Sequence, residues 1–473
     1  MSGISAYGAY VPATRLPLAL ISGRPAKEGG PEKAVAYYDE DSVTMAVAAA
    51  MDCLQAVDRA SIDALYFAST TYPLAEKQAA AIVAKALDLR RDVATADFSG
   101  SLRAGTSALE AASHAVAAGA AQRALVVVSD CRMGTPRGGL ESKLGDGAAA
   151  FLLSDREPIA TFEASHTVHN ELQDLWRSDG ESFTHTWEDR FVVQEGYTPV
   201  TVEVVQGLLE KTGRAAGEYD RVALYATDAR AAAGVARALG LSKEQLQDPL
   251  FGRLGNTGAA FAPMLLVSAL ETARAGERLL VAGYGDGGHA LALQVTDHVE
   301  KLEPRLGVSG HLARRRALRS YDSYLRSRGL DTKEWPGGAD LGLSATIRFR
   351  ERDSDLSFHA GRCQDCGQLH FPQPRVCIGC RAKDRWEGYR LSDKRGTLLS
   401  YTFDAFFPAP EPPTIMVMTE VEGCRVQVQL ANARPEDVSL GAPVDFTFRK
   451  IHDAGGKPNY FWKAVLAEQG DSA

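Results

Sequence analysis

Up to about residue 300, apolar positions fall into two alternating patterns. Short apolar runs, ALYFAST (64–70) and ALVVVSD (124–130), have the length and residue types of buried strands. Ala-rich segments such as TMAVAAAMDCLQAV (44–57) and TSALEAASHAVAAG (106–119) suit helices. Their alternation predicts a mostly parallel sheet with helices packed on it. The pattern also repeats. GAAQRALVVVSD (119–130) is echoed by RAGERLLVAGYGD (274–286), and each is followed by a GDG turn and a further apolar strand, in LGDGAAAFLLSD (144–155) and YGDGGHALALQVTD (284–297). The order helix, Arg, strand, GDG, strand predicts a duplicated α/β domain over residues 1–300.

The rhythm then changes. HLARRRALRSYDSYLRSRGLD (311–331) reads as a basic helix within a connector over 301–355, followed by the breaker cluster WPGGADLG. Its arginines suit a solvated face, or a phosphate-bearing ligand or partner. Beyond about 356, GTLLSYTFDAFF, TIMVMTEVEG, CRVQVQLANA, PVDFTFRKI and NYFWKAVLAE are alternating or apolar runs separated by turn residues. They predict a small antiparallel barrel over 391–473.

Charge narrows the function classes. The chain has 473 residues and a net charge of −8, with no long Lys/Arg run of the kind that marks a nucleic-acid footprint. No apolar run approaches the ~18 residues that span a membrane. The N-terminus lacks the charged-then-apolar order of a signal peptide, so a cytoplasmic location is expected.

Cysteine placement adds a metal. Four of the seven cysteines, Cys363, Cys366, Cys377 and Cys380, form two CxxC knuckles in CQDCGQLHFPQPRVCIGC. Four thiolates at this spacing can surround one tetrahedral Zn²⁺. With every position held by protein sulfur, such a zinc is structural and stabilises a short ribbon over 356–390. His370 in the same segment could compete as a ligand, but the four cysteines already complete the shell.

A zinc ribbon followed by five strands resembles the acyl-CoA-associated zinc-ribbon/OB-fold family, over roughly 356 to 466. Members accompany thiolase-superfamily proteins, which implies an acyl-CoA site in the first domain. There, GAYVPATRL (8–16), YYDEDSVTMAV (37–47), RAGTSAL (103–109), DLWRSDG (174–180), LGLSKEQL (239–246), LGNTGA (254–259) and GYGDGG (283–288) occur in order. Together they resemble 3-hydroxy-3-methylglutaryl-CoA synthase. The resemblance implies the α/β thiolase fold, two βαβαβ halves in αβαβα layers. It also implies a homodimer, or a hetero-oligomer with another thiolase-like chain.

That family's chemistry uses a cysteine at a buried helix N-terminus, a glutamate acid/base and a histidine beside the second thioester. Anchoring on the shared AGT places Leu102 at the cysteine, with Ser101 before it. Thr70 falls at the glutamate and Tyr225 at the histidine. The covalent acyl-cysteine step is therefore not expected. Asn256 matches the family's loop asparagine, which helps build the thioester oxyanion environment. Tyr225 could act as an acid/base or oxyanion donor, and His289, after the second GDG turn, is an alternative base. Each also has a structural reading: Asn256 as a turn former, Tyr225 as core, His289 as a satisfied core or interface histidine. Asp146 and Asp286 can simply hold their turns. Ser101 has no legible base, Cys131 ends a strand, and Cys53 sits in an Ala-rich helix.

The function expected is carbon–carbon bond cleavage (retro-aldol) or formation on a CoA thioester, as in cysteine-free thiolase-like aldolases that work with ribbon/OB partners. The alternatives are a non-catalytic scaffold subunit and a condensing acyltransferase with another nucleophile.

Overall fold

The computed structural model describes residues 2–331, 344–407, 409–454 and 456–467, so WPGGADLG lies outside the described residues. Two compact units form, Met1–Tyr37 with Asp41–Tyr321, and Tyr38–Glu40 with Asp322–Ala473.

The first half of unit one runs β1 (Gly3–Tyr10), α1 (Ser42–Cys53), β2 (Ala64–Ala68), α2 (Ala79–Ala86), β3 (Ala94–Phe98), α3 (Ala104–Ala117), β4 (Arg123–Asp130) and β5 (Gly147–Ser154). The second runs β6 (Ala160–His169), α4 (Thr198–Thr212), β7 (Arg221–Leu224), α5 (Ala229–Ala238), α6 (Phe261–Leu270), β8 (Arg278–Tyr284) and β9 (Gly287–Val295). Strand order is β3-β2-β4-β5-β1 in one half and β7-β8-β9-β6 in the other, joined where β1 meets β6. Leu246 bridges in parallel to Val222 of β7, at the place β3 takes beside β2. In both halves the strand after the GDG turn runs antiparallel to its neighbours. The repeat in the sequence is thus a repeat of topology.

Helix packing follows from composition. Helices α1 and α2 cover the first half, and α4 and α5 the second, while α3 and α6 touch strands of both. Nearly every side of α6 is buried, as suits a helix that is apolar all round. Close approach of α3 requires Gly105, because a Cβ there would lie 2.6 Å from the Ala259 carbonyl and 2.8 Å from Val128. At the start of α1, Asp41 accepts from the Thr44 amide at 2.9 Å, a side-chain cap that stops the chain entering the helix earlier.

Two expectations shift. The first unit ends at Tyr321, not 300, because Arg305 donates to the Tyr7 carbonyl at 2.7 Å and Asp52 accepts from the Leu306 and Gly307 amides at 3.0 Å. Residues 311–331 are not one helix but Gly307–Ala313 and Tyr321–Ser327 around a short strand, Arg316–Ala317, paired in parallel with Thr14–Arg15. An open strand edge captures the backbone there. Arg315 pairs with Glu32, and Arg316 lies 4.8 Å over the Tyr37 ring, so these arginines serve the fold.

In the second unit, β10 (His359–Cys363) lies between β11 (Leu369–His370) and β12 (Trp386–Arg390). Next come β13 (Gly396–Asp404), β14 (Thr414–Val421), β15 (Cys424–Leu430), β16 (Pro443–Ala454) and β17 (Lys457–Leu466), a closed barrel of order β13-β14-β15-β17-β16. Leu430 and Ala464 make its parallel contact. CRVQVQL alternates buried and outward positions along β15, as a barrel wall requires. Tyr38–Glu40 joins this unit through buried ion pairs, Asp39 to Lys463 and Glu40 to Arg449, each at 2.9 Å.

Candidate functional site

Leu102 sits just before α3, packed against the core of the first unit, at the position expected for a nucleophile. Ser101 Oγ donates to the Gly285 carbonyl at 2.9 Å, so that hydroxyl is engaged by backbone. The Thr70 hydroxyl donates to Asp130 Oδ2 at 2.9 Å. Asp130, fully buried at the end of β4, also accepts from Ser69 Oγ, Thr71 Oγ1 and the amides of Thr70 and Ala259. Beside Thr70, which the resemblance puts at the family's glutamate, a carboxylate from another strand is held by five donors. Cys131 is half-buried, with Sγ 3.8 Å from Thr71 Oγ1, and burial pushes the Cys53 thiol up to about 12.

Tyr225 and Asn256 come together. Tyr225 follows β7 and is 1% exposed, its ring 5.5 Å from Phe261 and 6.0 Å from Tyr284. Asn256 Nδ2 donates to the Ala226 carbonyl at 2.7 Å, and its Oδ1 accepts from the Gly258 amide and from Arg132 Nη2. Burial raises the phenol's pKa above its ordinary value, while the Arg132 charge and hydrogen bonds from Asn256 and Arg132 oppose the shift. Tyr225 is therefore a neutral phenol near pH 7. Asn256 orients its neighbours, since both ends of its amide are engaged.

These three residues line a narrow cleft of about 30 Å³ with Lys143, Thr227 and Val192. Lys143 is neutralised by Asp189 at 2.5 Å. Arg132 was not singled out in the sequence. The signal available was a charged pair, Asp130 and Arg132, directly after an apolar strand, where α/β sheets place their ligands.

His289 lies elsewhere. On β9 and 1% exposed, it places Nε2 3.3 Å from Glu110 Oε2 of α3, and it does not line the Tyr225 cleft. The two groups meet without a well-aligned hydrogen bond to the ring. Contact with His289 holds the Glu110 carboxyl down to about 2. Asp146 Oδ2 accepts from the Ala36 amide at 2.6 Å, and Asp286 adopts a φ of +49° in its turn.

In the second unit the Sγ atoms of Cys363, Cys366, Cys377 and Cys380 all lie within 4.8 Å of one another. Cys363 and Cys380 are 3.5 Å apart, Cys366 and Cys377 3.6 Å. Zn–S bonds of about 2.3 Å in a tetrahedron put sulfurs about 3.8 Å apart, so the cluster fits one such ion. His370 Nε2 is 3.5 Å from Cys377 Sγ, the distance of a hydrogen-bond partner to a ligand sulfur.

Comparison with known proteins agrees with the topology. Residues 209–296 match the family described as 3-oxoacyl-[acyl-carrier-protein (ACP)] synthase III C terminal. The hydroxymethylglutaryl-CoA synthase of Aeropyrum pernix is 35% identical over 348 residues, covering 69% of this chain and 94% of that protein. The Methanocaldococcus jannaschii enzyme is 30% identical, covering 69% and 99%. Among solved structures, an HMG-CoA synthase complexed with CoA superposes with a TM-score of 0.64 at 17% identity, covering 72% of this chain and 94% of that one. The Aquifex aeolicus 3-oxoacyl-[acyl-carrier-protein] synthase III gives 0.57 at 22%, covering 62% and 100%. These structural likenesses establish the shared fold, and the sequence identities carry the descent: the chain belongs to the hydroxymethylglutaryl-CoA synthase family.

Proposed function

We propose that this protein makes or breaks a carbon–carbon bond beside a CoA thioester without forming an acyl-cysteine, and that retro-aldol cleavage is the reaction it favours. The observation that carries this reading is the pairing of Leu102 at the nucleophile's place with a buried Tyr225–Asn256–Arg132 cluster lining a cleft. In cleavage the β-hydroxyl gives up its proton, the Cα–Cβ bond breaks to leave a carbonyl product, and the electron pair moves onto the thioester as an enolate that is then protonated at Cα. Tyr225 faces the β-oxygen. As a neutral phenol it gives its proton in the bond-forming direction. In cleavage it must first lose that proton, which the Arg132 charge favours. Asn256 keeps both groups in place. His289, against Glu110, is assigned a structural role. The four ribbon cysteines hold one structural Zn²⁺, which keeps that segment folded.

A non-catalytic subunit is the second reading, favoured by the small volume of the cleft and by the substitution of all three reactive positions. One experiment separates the two. The purified protein is incubated with a set of 3-hydroxyacyl-CoA thioesters and with acetyl-CoA, and products and intact protein are weighed by mass spectrometry. Cleavage products with no adduct on any thiol are expected. An adduct on Cys131 would revive cysteine condensation, and no turnover of any thioester would favour the scaffold.

A further inference from the structure

A cavity of about 350 Å³ opens in the first half where β2 and β4 begin and β5 ends, and every residue lining it is polar or charged. The eight residues of β4, roughly 26 Å of strand, separate its Arg123 from the Tyr225 cleft, which Arg132 lines beyond the other end. The internal repeat shows what is particular to this place. In both halves an aspartate holds the start of a strand: Asp63 Oδ2 accepts from the Arg123 amide at 3.2 Å, and Asp220 Oδ2 from the Arg278 amide at 2.8 Å. The residue before that arginine differs. In the second half it is Glu277, which pairs with Arg221 at 3.0 Å. In the first it is Gln122, which brings no charge.

Three arginines, Arg90, Arg123 and Arg156, therefore line the cavity against two aspartates, Asp58 and Asp63. Asp63 is committed, to the Gln122 and Arg123 amides through one oxygen and to Arg90 through the other. Arg90 takes Asp92 as well, at 3.1 Å, whereas among the described residues Arg123 and Arg156 make no ion pair. Both are nevertheless held in place. Arg123 Nη1 donates to Ser61 Oγ at 2.7 Å, and that hydroxyl donates to the Asp58 carbonyl at 2.5 Å. Ser154 Oγ accepts from the Arg156 amide at 2.9 Å and donates to its carbonyl at 3.1 Å. Two guanidiniums anchored beside an open cavity suit a phosphate group, which their planar forks bind through charge-assisted hydrogen bonds.

We infer that this cavity binds a small phosphorylated polyol, with Arg123 and Arg156 on the phosphate and Asp58 and Gln122 on the hydroxyl groups. The site is independent of the thioester reading above. Its volume falls within the roughly 300–1,000 Å³ of small-molecule sites. Because its lining is polar throughout, it offers no surface to a nucleobase or an acyl chain and selects a ligand that is polar throughout. Asp58 Oδ1 accepts from the Ala60 amide at 2.9 Å, which leaves Oδ2 to accept from a ligand hydroxyl.

The test is calorimetric titration of the full chain with glucose 6-phosphate, glycerol 3-phosphate, glucose, glycerol and inorganic phosphate. At least one of the two phosphorylated polyols should bind, and its unphosphorylated parent should not. Inorganic phosphate should bind more weakly, having no carbon skeleton of hydroxyls for Asp58 and Gln122 to meet. Arg123→Gln and Arg156→Gln should each weaken the phosphorylated ligand by roughly 10–100-fold, the size of a hydrogen bond to a charged group. Arg156 is exposed, so its variant keeps the fold and decides alone if Arg123→Gln does not fold. No heat from either phosphorylated polyol would overturn the inference. So would an affinity no better than that of inorganic phosphate, or one unchanged in the Arg156→Gln chain.

Discussion

Replacing Tyr225 by Phe removes one oxygen and keeps the ring. The ring contacts, 5.5 Å to Phe261, 6.0 Å to Tyr284 and 6.5 Å to Tyr197, survive the change. What is lost is the phenol oxygen, whose ionised form Arg132 and Asn256 favour. Asn256 Nδ2 and Arg132 Nη2 keep their acceptors in the Ala226 carbonyl and Asn256 Oδ1, so the loss should cost no more than about 1–3 kcal/mol. A domain stable by roughly 5–15 kcal/mol survives that. The catalytic effect is of a different size. A positioned acid/base contributes about 10²–10⁴-fold, or roughly 3–5 kcal/mol of barrier. Turnover of a cleaved 3-hydroxyacyl-CoA at saturation, followed by mass spectrometry, should fall in that range while calorimetric binding of the thioester is kept. Burial raises the phenol's pKa, so the wild-type cleavage rate should climb with pH through the alkaline range, and the Phe variant should lose that climb. His289→Ala should stay near wild type, because that ring faces Glu110 and not the cleft. A Tyr225→Phe enzyme slowed by less than about tenfold would refute the role given to the phenol.

Metal analysis should find one zinc per chain, and Cys363→Ser or Cys380→Ser should release it and expose the ribbon to protease while the first unit keeps its melting transition; a metal-free native protein with four reactive thiols would sink this assignment. Glu110 has a folded pKa lowered from 4.5 to about 2, so its contribution to stability is full above pH 4.5 and fades as pH falls through 2. The melting difference between wild type and Glu110→Gln should shrink over that interval, and a pH-independent difference would argue against the pairing with His289. Gly105→Ala pushes a methyl to 2.6 Å from the Ala259 carbonyl and 2.9 Å from Pro263, an overpacking that should cost about 1–3 kcal/mol in denaturant unfolding. An unchanged midpoint would mean that α3 can shift away.

The duplicated domain and the barrel are legible in sequence because burial periodicity is local. ALVVVSD needs no distant partner to read as a strand, and CRVQVQL needs none to read as a half-buried wall. The two CxxC knuckles are local in the same way, which is why their sulfurs converge as the spacing implies. That Leu102 stands where the resemblance puts a cysteine is likewise read without coordinates, since it is a matter of residue identity.

Side-chain partnership across the fold is decided otherwise. Tyr225, Asn256 and Arg132 come from three separate segments, and packing of the two halves is what closes them on one cleft. His289 looked equally eligible in sequence, yet pleat and register turn it toward Glu110. Asp130 gave no sign that it would fill the space beside Thr70. The basic stretch 311–331 has the composition of a helix, but an open strand edge at Thr14–Arg15 offered its backbone better partners. Hydrophobic rhythm is set by neighbours along the chain. The pairing of a buried charge is set by whichever groups the finished fold leaves within reach, and that is a property of the tertiary structure alone.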